Sequence, residues 1–464
     1  MANRLLIIGL DCLGDTVLRL PDMDHFPTLT SLARKGMSGT LRSTIPPITV
    51  PAWTSMFASR DPGELGIYGF RNRDRSDYGA MSRADSRSVL YPRLWDYVTA
   101  AGNSSIVVGV PQTYPPPHLK GVLISGFDTP AEIEDAVYPA SYAGVVRRVA
   151  ADYAFDVEEF RNAERNEIRR KIETMTSARF AVMRELMGSE PWRLAVFCEI
   201  GVDRMHHCFW SDHDNLHPLH DPESIHRDAI AAYYKLLDRE IAQLVRMIDP
   251  DDYVMVVSDH GAKTMLGGFC INEWLIANGW LVLKDIPSGV SELSPSMIDW
   301  NKTKAWAHGG YYARIFLNEK SREPEGIVPP EQREAILHSL IEQLSCVTIA
   351  DGRVIQNEVV QPEKIYRKVR GFAPDLMVFF DDLHMRSIGS VGHDSISIVG
   401  NDTGLDHANH SYEGVYVLAG PNVASARSNA EIYDVLPTAL VALKLKVPAD
   451  LKGSSLIVSH SQIS

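Results

Sequence analysis

Asp11, Asp203, His207, Asp259, His260 and His410 offer carboxylates and imidazoles, and Thr49 offers a hydroxyl, where predicted strands or helices begin or end. A mixed oxygen and nitrogen donor set suits Zn²⁺ or Mn²⁺ rather than a soft thiolate site. Thr49 lies in Pro46-Pro47-Ile48-Thr49-Val50-Pro51-Ala52-Trp53-Thr54-Ser55. Pro51 falls in the first turn of a predicted helix, where a missing N–H costs nothing. Thr49 therefore stands at the positive end of a helix beside free N–H groups, a ready anion site.

Each residue alone also has a plain structural reading. A Thr before a helix is most often a cap, and an Asp at a strand end often caps the next helix. Asp203 and His207 are four apart, so an ordinary pair on one helical face accounts for them. Asp259-His260-Gly261 could be a simple turn, and His410 competes with the nearby His407. What points to chemistry is that separate strand ends all carry metal-ligand types.

The elements that must position these residues follow from short apolar runs alternating with helical patterns. Leu5–Leu10, Ser105–Val110, Leu194–Ile200, Tyr253–Ser258, Leu376–Phe380 and Val415–Ala419 read as strands buried on both faces. Between Pro222 and Met247, Ile230, Tyr233, Leu237, Ile241 and Leu244 follow the spacing of one helical face. A longer, more charged helix is predicted from Asn162 to Met187. The pattern predicts an α/β fold with a mostly parallel central sheet flanked by helices, in which functional groups gather at the carboxyl ends of the strands. Asp11, Asp203, His207, Asp259 and His260 sit at such ends. His410 precedes its strand and reaches the same edge only if its loop folds back. The segment 265–371 breaks the pattern and reads as an inserted, cap-like region between the core segments 1–264 and 372–464.

The chain has 464 residues, 45% of them hydrophobic and 23% charged, with a net charge of −13. General binding to nucleic acid or an anionic membrane is excluded on that balance, so an anionic substrate needs metal ions or a few local cations. The five cysteines, Cys12, Cys198, Cys208, Cys270 and Cys346, show no CxxC spacing and give no disulfide framework. The first apolar run is too short to span a membrane. These features predict a cytoplasmic protein.

The sequence resembles the alkaline phosphatase superfamily, in its type I phosphodiesterase and nucleotide pyrophosphatase branch. The resemblance runs through Leu6-Ile7-Ile8-Gly9-Leu10-Asp11, Pro27-Thr28-Leu29, the Thr49 stretch and Gly66-Ile67-Tyr68. It resumes at Asp203-Arg204-Met205-His206-His207, Val257-Ser258-Asp259-His260-Gly261, Pro374-Asp375-Leu376, His410-Ser411-Tyr412-Glu413-Gly414 and Asp434-Val435-Leu436-Pro437-Thr438. The similar group there contains phosphohydrolases and phosphomutases.

The resemblance implies an alkaline-phosphatase-like core and two divalent metal ions, zinc first and manganese second. One ion would take Asp203, His207 and His410; the other Asp11, Asp259, His260 and the Thr49 hydroxyl. Thr49 matches the family nucleophile, which implies phosphoester hydrolysis through a phospho-threonine. Asn72 falls near the residue that holds the phosphoryl group, although Phe70-Arg71-Asn72-Arg73 departs from the usual sequence. A sulfatase is excluded, because the C/S-x-P-x-R context is absent. Arg71, Arg73 and Lys263 are candidates for further phosphate contacts, and Trp53 and Tyr68 for an aromatic slot. The alternative is a phosphomutase using the same metals. The substrate expected is a small phosphoester, and nothing in the sequence identifies its organic part.

Overall fold

The computed structural model describes residues 3–19, 22–73, 78–79, 81–130 and 132–457. Its central sheet runs in the order Ala426–Arg427, Met37–Arg42, Glu413–Ala419, Tyr253–Val257, Leu5–Leu10, Leu194–Glu199, Ser105–Val108, Gly121–Ile124 and Val137–Tyr138. Leu5–Leu10 pairs in parallel with both Leu194–Glu199 and Tyr253–Val257. Glu413–Ala419 and Val137–Tyr138 run antiparallel to their neighbours. The expected mostly parallel sheet is therefore present.

Alternate residues of Leu5–Leu10 enter two different cores, which is why the run is apolar without a polar face. Leu6, Ile8 and Leu10 pack with the helices Arg165–Ser189, Gly201–His213 and Ala229–Val245. Leu5 and Ile7 pack with Thr49–Ala58, Leu94–Ala100 and Val435–Ala442. The helix predicted from Pro222 begins later, at Ala229, because residues 221–228 are spent in turns such as Glu223 N–H to Asp221 Oδ1. The Ser105 strand ends at Val108. Gly109 turns it at φ +76, where a Cβ would lie 2.0 Å from Arg179 Nη2 and 2.5 Å from the Cys198 carbonyl.

A third core belongs to the segment after Met265. Ala305–His308, Ala313–Leu317, Leu376–Phe379 and Glu358–Val360 form a separate four-stranded sheet. The strand at Leu376, predicted alongside the core strands, thus pairs with Ala313–Leu317 instead. Its apolar run reads the same either way, because this small sheet is itself covered on both sides. Among the described residues no helix is long and apolar enough to cross a membrane, and the five cysteines are free.

Candidate active site

The parallel strands deliver their carboxyl ends to one edge. Asp11 follows Leu5–Leu10. Asp203 and His207 ride the first two turns of Gly201–His213, which starts just past Leu194–Glu199. Asp259 and His260 follow Tyr253–Val257. His410 needs no folded-back loop. Its strand Ala408–Ser411 pairs antiparallel with Gly261–Thr264, and the antiparallel Glu413–Ala419 begins at the edge where its neighbours end. His407 points elsewhere, with Nδ1 2.7 Å from Ser211 Oγ.

Thr49 is the first residue of the buried helix Thr49–Ala58, and Ile48 occupies the cap position with no side-chain cap bond. The capping explanation of Thr49 therefore falls. Its Oγ1 lies 3.2 Å from His260 Nε2. That nitrogen is 3.1 Å from Asp259 Oδ2 and 3.7 Å from Asp11 Oδ1. Asp11 is aimed by Trp53, whose Nε1–H donates to Oδ2 at 2.7 Å. Cys12 N–H does the same for Asp259 Oδ1 at 3.1 Å.

The second group adjoins the first. Asp203 Oδ1 is 3.1 Å from His207 Nε2 and 3.8 Å from His410 Nε2. His260 stacks on His410 with ring centroids 3.7 Å apart. Ligand atoms of Asp11, Asp259 and His260 lie within 4.8 Å of one another, and so do those of Asp203, His260 and His410. By distance His260 thus adjoins both groups.

These residues fit a pair of divalent cations. Asp11 Oδ1, Asp259 Oδ2 and His410 Nε2 are buried without a hydrogen-bond partner, an expensive state for polar atoms unless something compensates it. Burial, then the Asp203 charge, raises the Asp11 carboxyl, and burial followed by Asp11 raises Asp259. Burial also pushes His260 down to about 4. His207 goes the other way: burial opposes its charge, but Asp203 and Asp406 outweigh it and raise the ring to about 9. Bound cations would reverse the repulsion among the carboxylates.

A cavity of about 330 Å³ opens beside Thr49, Asp203, His207 and His410. Its wall includes Phe70, Phe160, Tyr311 and Tyr312, with Arg71, Arg161, Arg204, Arg314 and Arg386. Asn72 is not in this wall. Its Oδ1 accepts from Tyr68 N–H at 2.7 Å and its Nδ2 donates to the Gly69 carbonyl, so the amide serves its own turn. Arg73 is buried in an ion pair with Glu323, and Lys263 pairs with Asp382 at 2.6 Å. Only Arg71 of the three predicted cations faces the cavity. Trp53 and Tyr68 are core residues rather than a slot.

Several contributors escape sequence reasoning. Asp406 accepts from His207 Nδ1 at 2.7 Å, and Arg161 and Arg386 each contact its other oxygen. Tyr311 stacks on His410 at 4.2 Å between centroids and places its hydroxyl 3.3 Å from His207 Nε2. Nothing in the sequence near these residues marks them apart from ordinary loop positions.

A family model described as type I phosphodiesterase / nucleotide pyrophosphatase matches residues 5–413. No curated protein sequence matches. Among solved structures, human ectonucleotide pyrophosphatase / phosphodiesterase 5 is similar at a TM-score of 0.56 with 13% identity, over 97% of each chain. The murine protein, solved in an inactive form with AMP, gives 0.52 at 13% identity over 96% of each. Phosphonoacetate hydrolase from Sinorhizobium meliloti 1021, in complex with phosphonoformate, gives 0.60 at 14% identity, over 95% of this chain and 96% of its own.

Proposed function

The chain belongs to the type I phosphodiesterase / nucleotide pyrophosphatase family, and on that premise we propose a two-metal phosphoester hydrolase that works through a phospho-threonine on Thr49. The observation that carries this reading is the convergence of Thr49 Oγ1 with His260, Asp259 and the unpartnered Asp11 Oδ1 at a helix N-terminus.

Asp11, Asp259, His260 and Thr49 would hold one ion, and Asp203, His207 and His410 the other, with zinc favoured over manganese by the imidazole content. Bound ions would supply Lewis acidity, lowering the pKa of the Thr49 hydroxyl and neutralising phosphoryl charge. Thr49 Oγ attacks phosphorus in line, and the ester oxygen leaves on the opposite side. The N–H groups of the first helical turn, at Thr49 and Val50, hold the equatorial oxygens. Attack by water then releases phosphate and restores Thr49. The inserted region, 265–371, acts as a cap: its Tyr311, Tyr312 and Arg314 form part of the cavity wall.

The test is hydrolysis of p-nitrophenyl phosphate and bis-p-nitrophenyl phosphate by metal-stripped protein resupplied with zinc or manganese, in ¹⁸O-labelled water. Metal-dependent turnover with label in the released phosphate is expected. Silence on both esters with two metals bound, together with label-free transfer of phosphoryl to another hydroxyl of a sugar phosphate, would replace the hydrolase by a mutase.

A further inference from the structure

The arginines in the cavity wall divide into two kinds. Arg161, Arg204 and Arg386 are spoken for by carboxylates: Arg161 and Arg386 by Asp406, Arg204 by Asp156 and Asp203. Arg71 and Arg314 make no ion pair among the described residues. Arg314 is only partly exposed, and among the described residues its one side-chain hydrogen bond runs from Nη1 to the Arg71 carbonyl at 2.6 Å. Arg314 thus leans on the backbone of Arg71, and both residues line the cavity beside Thr49. Burial, and with it the Arg71 charge, holds the Arg314 guanidinium below its ordinary value. A partly buried cation beside a like charge is costly unless an anion completes it.

The pair stands at a junction. Arg71 and Arg314 border both the cavity beside Thr49 and a second chamber of about 1210 Å³, and Gly309 and Gly310 line both as well. The second chamber's wall carries buried polar atoms with no partner, Ser291 Oγ, Trp306 Nε1, His308 Nε2 and Ser387 Oγ. It also carries the stacked rings of Tyr78 and Trp300, 3.5 Å between centroids. Unsatisfied donors and acceptors beside aromatic faces suit an organic ligand larger than phosphate.

We propose that Arg71 and Arg314 form a subsite for a second anionic group of the substrate, a carboxylate or a second phosphoryl, carried on an organic body that extends into the larger chamber. The subsite rests on the hydrolase reading for the place of the reacting phosphorus. Each guanidinium carries its donors as a fork suited to a planar carboxylate or a phosphoryl group. They act on the part of the substrate that does not react, so they set binding and selectivity.

The test uses phosphonates, which lack the scissile ester bond, and metal-loaded Thr49→Ala protein, so that binding is read apart from turnover. Calorimetry compares propylphosphonate, 3-phosphonopropanoate and propane-1,3-bisphosphonate. At least about tenfold tighter binding of a doubly anionic compound over propylphosphonate is expected. That preference should collapse towards one in both Arg314→Gln and the more exposed Arg71→Gln, and survive in part in Arg314→Lys, which keeps the charge without the fork. Which of the two doubly anionic compounds gains more identifies the second group as carboxylate or phosphoryl. Equal binding of all three, no binding of any, or a preference that survives both Gln variants overturns the subsite. A hydrolase that turns over simple esters yet shows equal binding would lose the subsite alone.

Discussion

Asp406 stands behind His207, its Oδ1 2.7 Å from Nδ1, on the side of the ring away from Asp203. A carboxylate in this place fixes the imidazole so that Nε2 carries the lone pair and faces the other ligands. Burial opposes the Asp406 charge, but His207 first, then Arg161 and Arg386, hold its carboxyl below the usual carboxylate range. Asp406→Asn should therefore weaken the ion proposed for Asp203, His207 and His410, by roughly 10–100-fold, with less effect on the other. Competition with a chromophoric zinc chelator measures this. Unchanged affinity at both positions would detach Asp406 from the metal centre.

His207 also sets a pH dependence. Its ring is raised from 6.5 to about 9 in the metal-free fold, burial being outweighed by Asp203 and Asp406. A raised pKa means that its stabilising contribution is complete below pH 6.5 and lost as pH climbs through 9. A metal ion needs the neutral ring, so binding at pH 7 must expel this proton. Metal affinity should rise with pH until about 9 and gain little from this group beyond it, while metal-free stability falls over the same window. Titrations in buffers of different ionisation enthalpy would count the proton released. Metal binding at pH 7 that releases no proton would mean that His207 is already neutral at rest.

How much of this was legible depends on which contacts are local. Leu5–Leu10 and Asp11 can be read directly, because a strand buried on both faces shows as an unbroken apolar run with the acid just beyond it. Asp203 and His207 are legible for the same reason on a helical spacing. His410 was harder, since its approach depends on Glu413–Ala419 running antiparallel, a pairing that no local pattern encodes. Asp406 was hidden in Gly404-Leu405-Asp406-His407, which looks like any turn. Asn72 shows the opposite failure. The resemblance put it near the residue that holds the phosphoryl group, but the backbone closes a short turn there and takes the amide for itself.

Gly9 illustrates how tightly the central strand is fitted to the site. A Cβ there would lie 2.4 Å from Trp53 Cη2 and 3.3 Å from the Phe197 carbonyl. Trp53 is fully buried, and the indole cannot retreat without loosening its bond to Asp11 Oδ2. Gly9→Ala should cost about 1–3 kcal/mol by overpacking and weaken the ion proposed at Asp11. Urea unfolding of metal-free protein reads the first effect, and zinc titration reads the second. A variant as stable as the parent, with unchanged zinc affinity, would show that Trp53 is not pinned in this way.

Thr49 itself gives the most direct test of the reaction. Its hydroxyl is not needed to cap the helix, since no side chain caps Thr49–Ala58, so Thr49→Ala should leave folding nearly intact. Asp11, Asp259 and His260 still converge in that variant, so the ion should stay bound with reduced affinity. Turnover should fall by about a thousandfold or more, as expected when a nucleophile is removed and only binding and charge stabilisation remain. Thr49→Ser keeps a hydroxyl at the helix start and should recover a measurable part of the activity. Acid quenching during turnover of a ³²P-labelled ester should trap label on Thr49 in the parent, and peptide mapping would locate it. Label elsewhere in the chain, or full activity in Thr49→Ala with both metals in place, would remove Thr49 from the role of nucleophile.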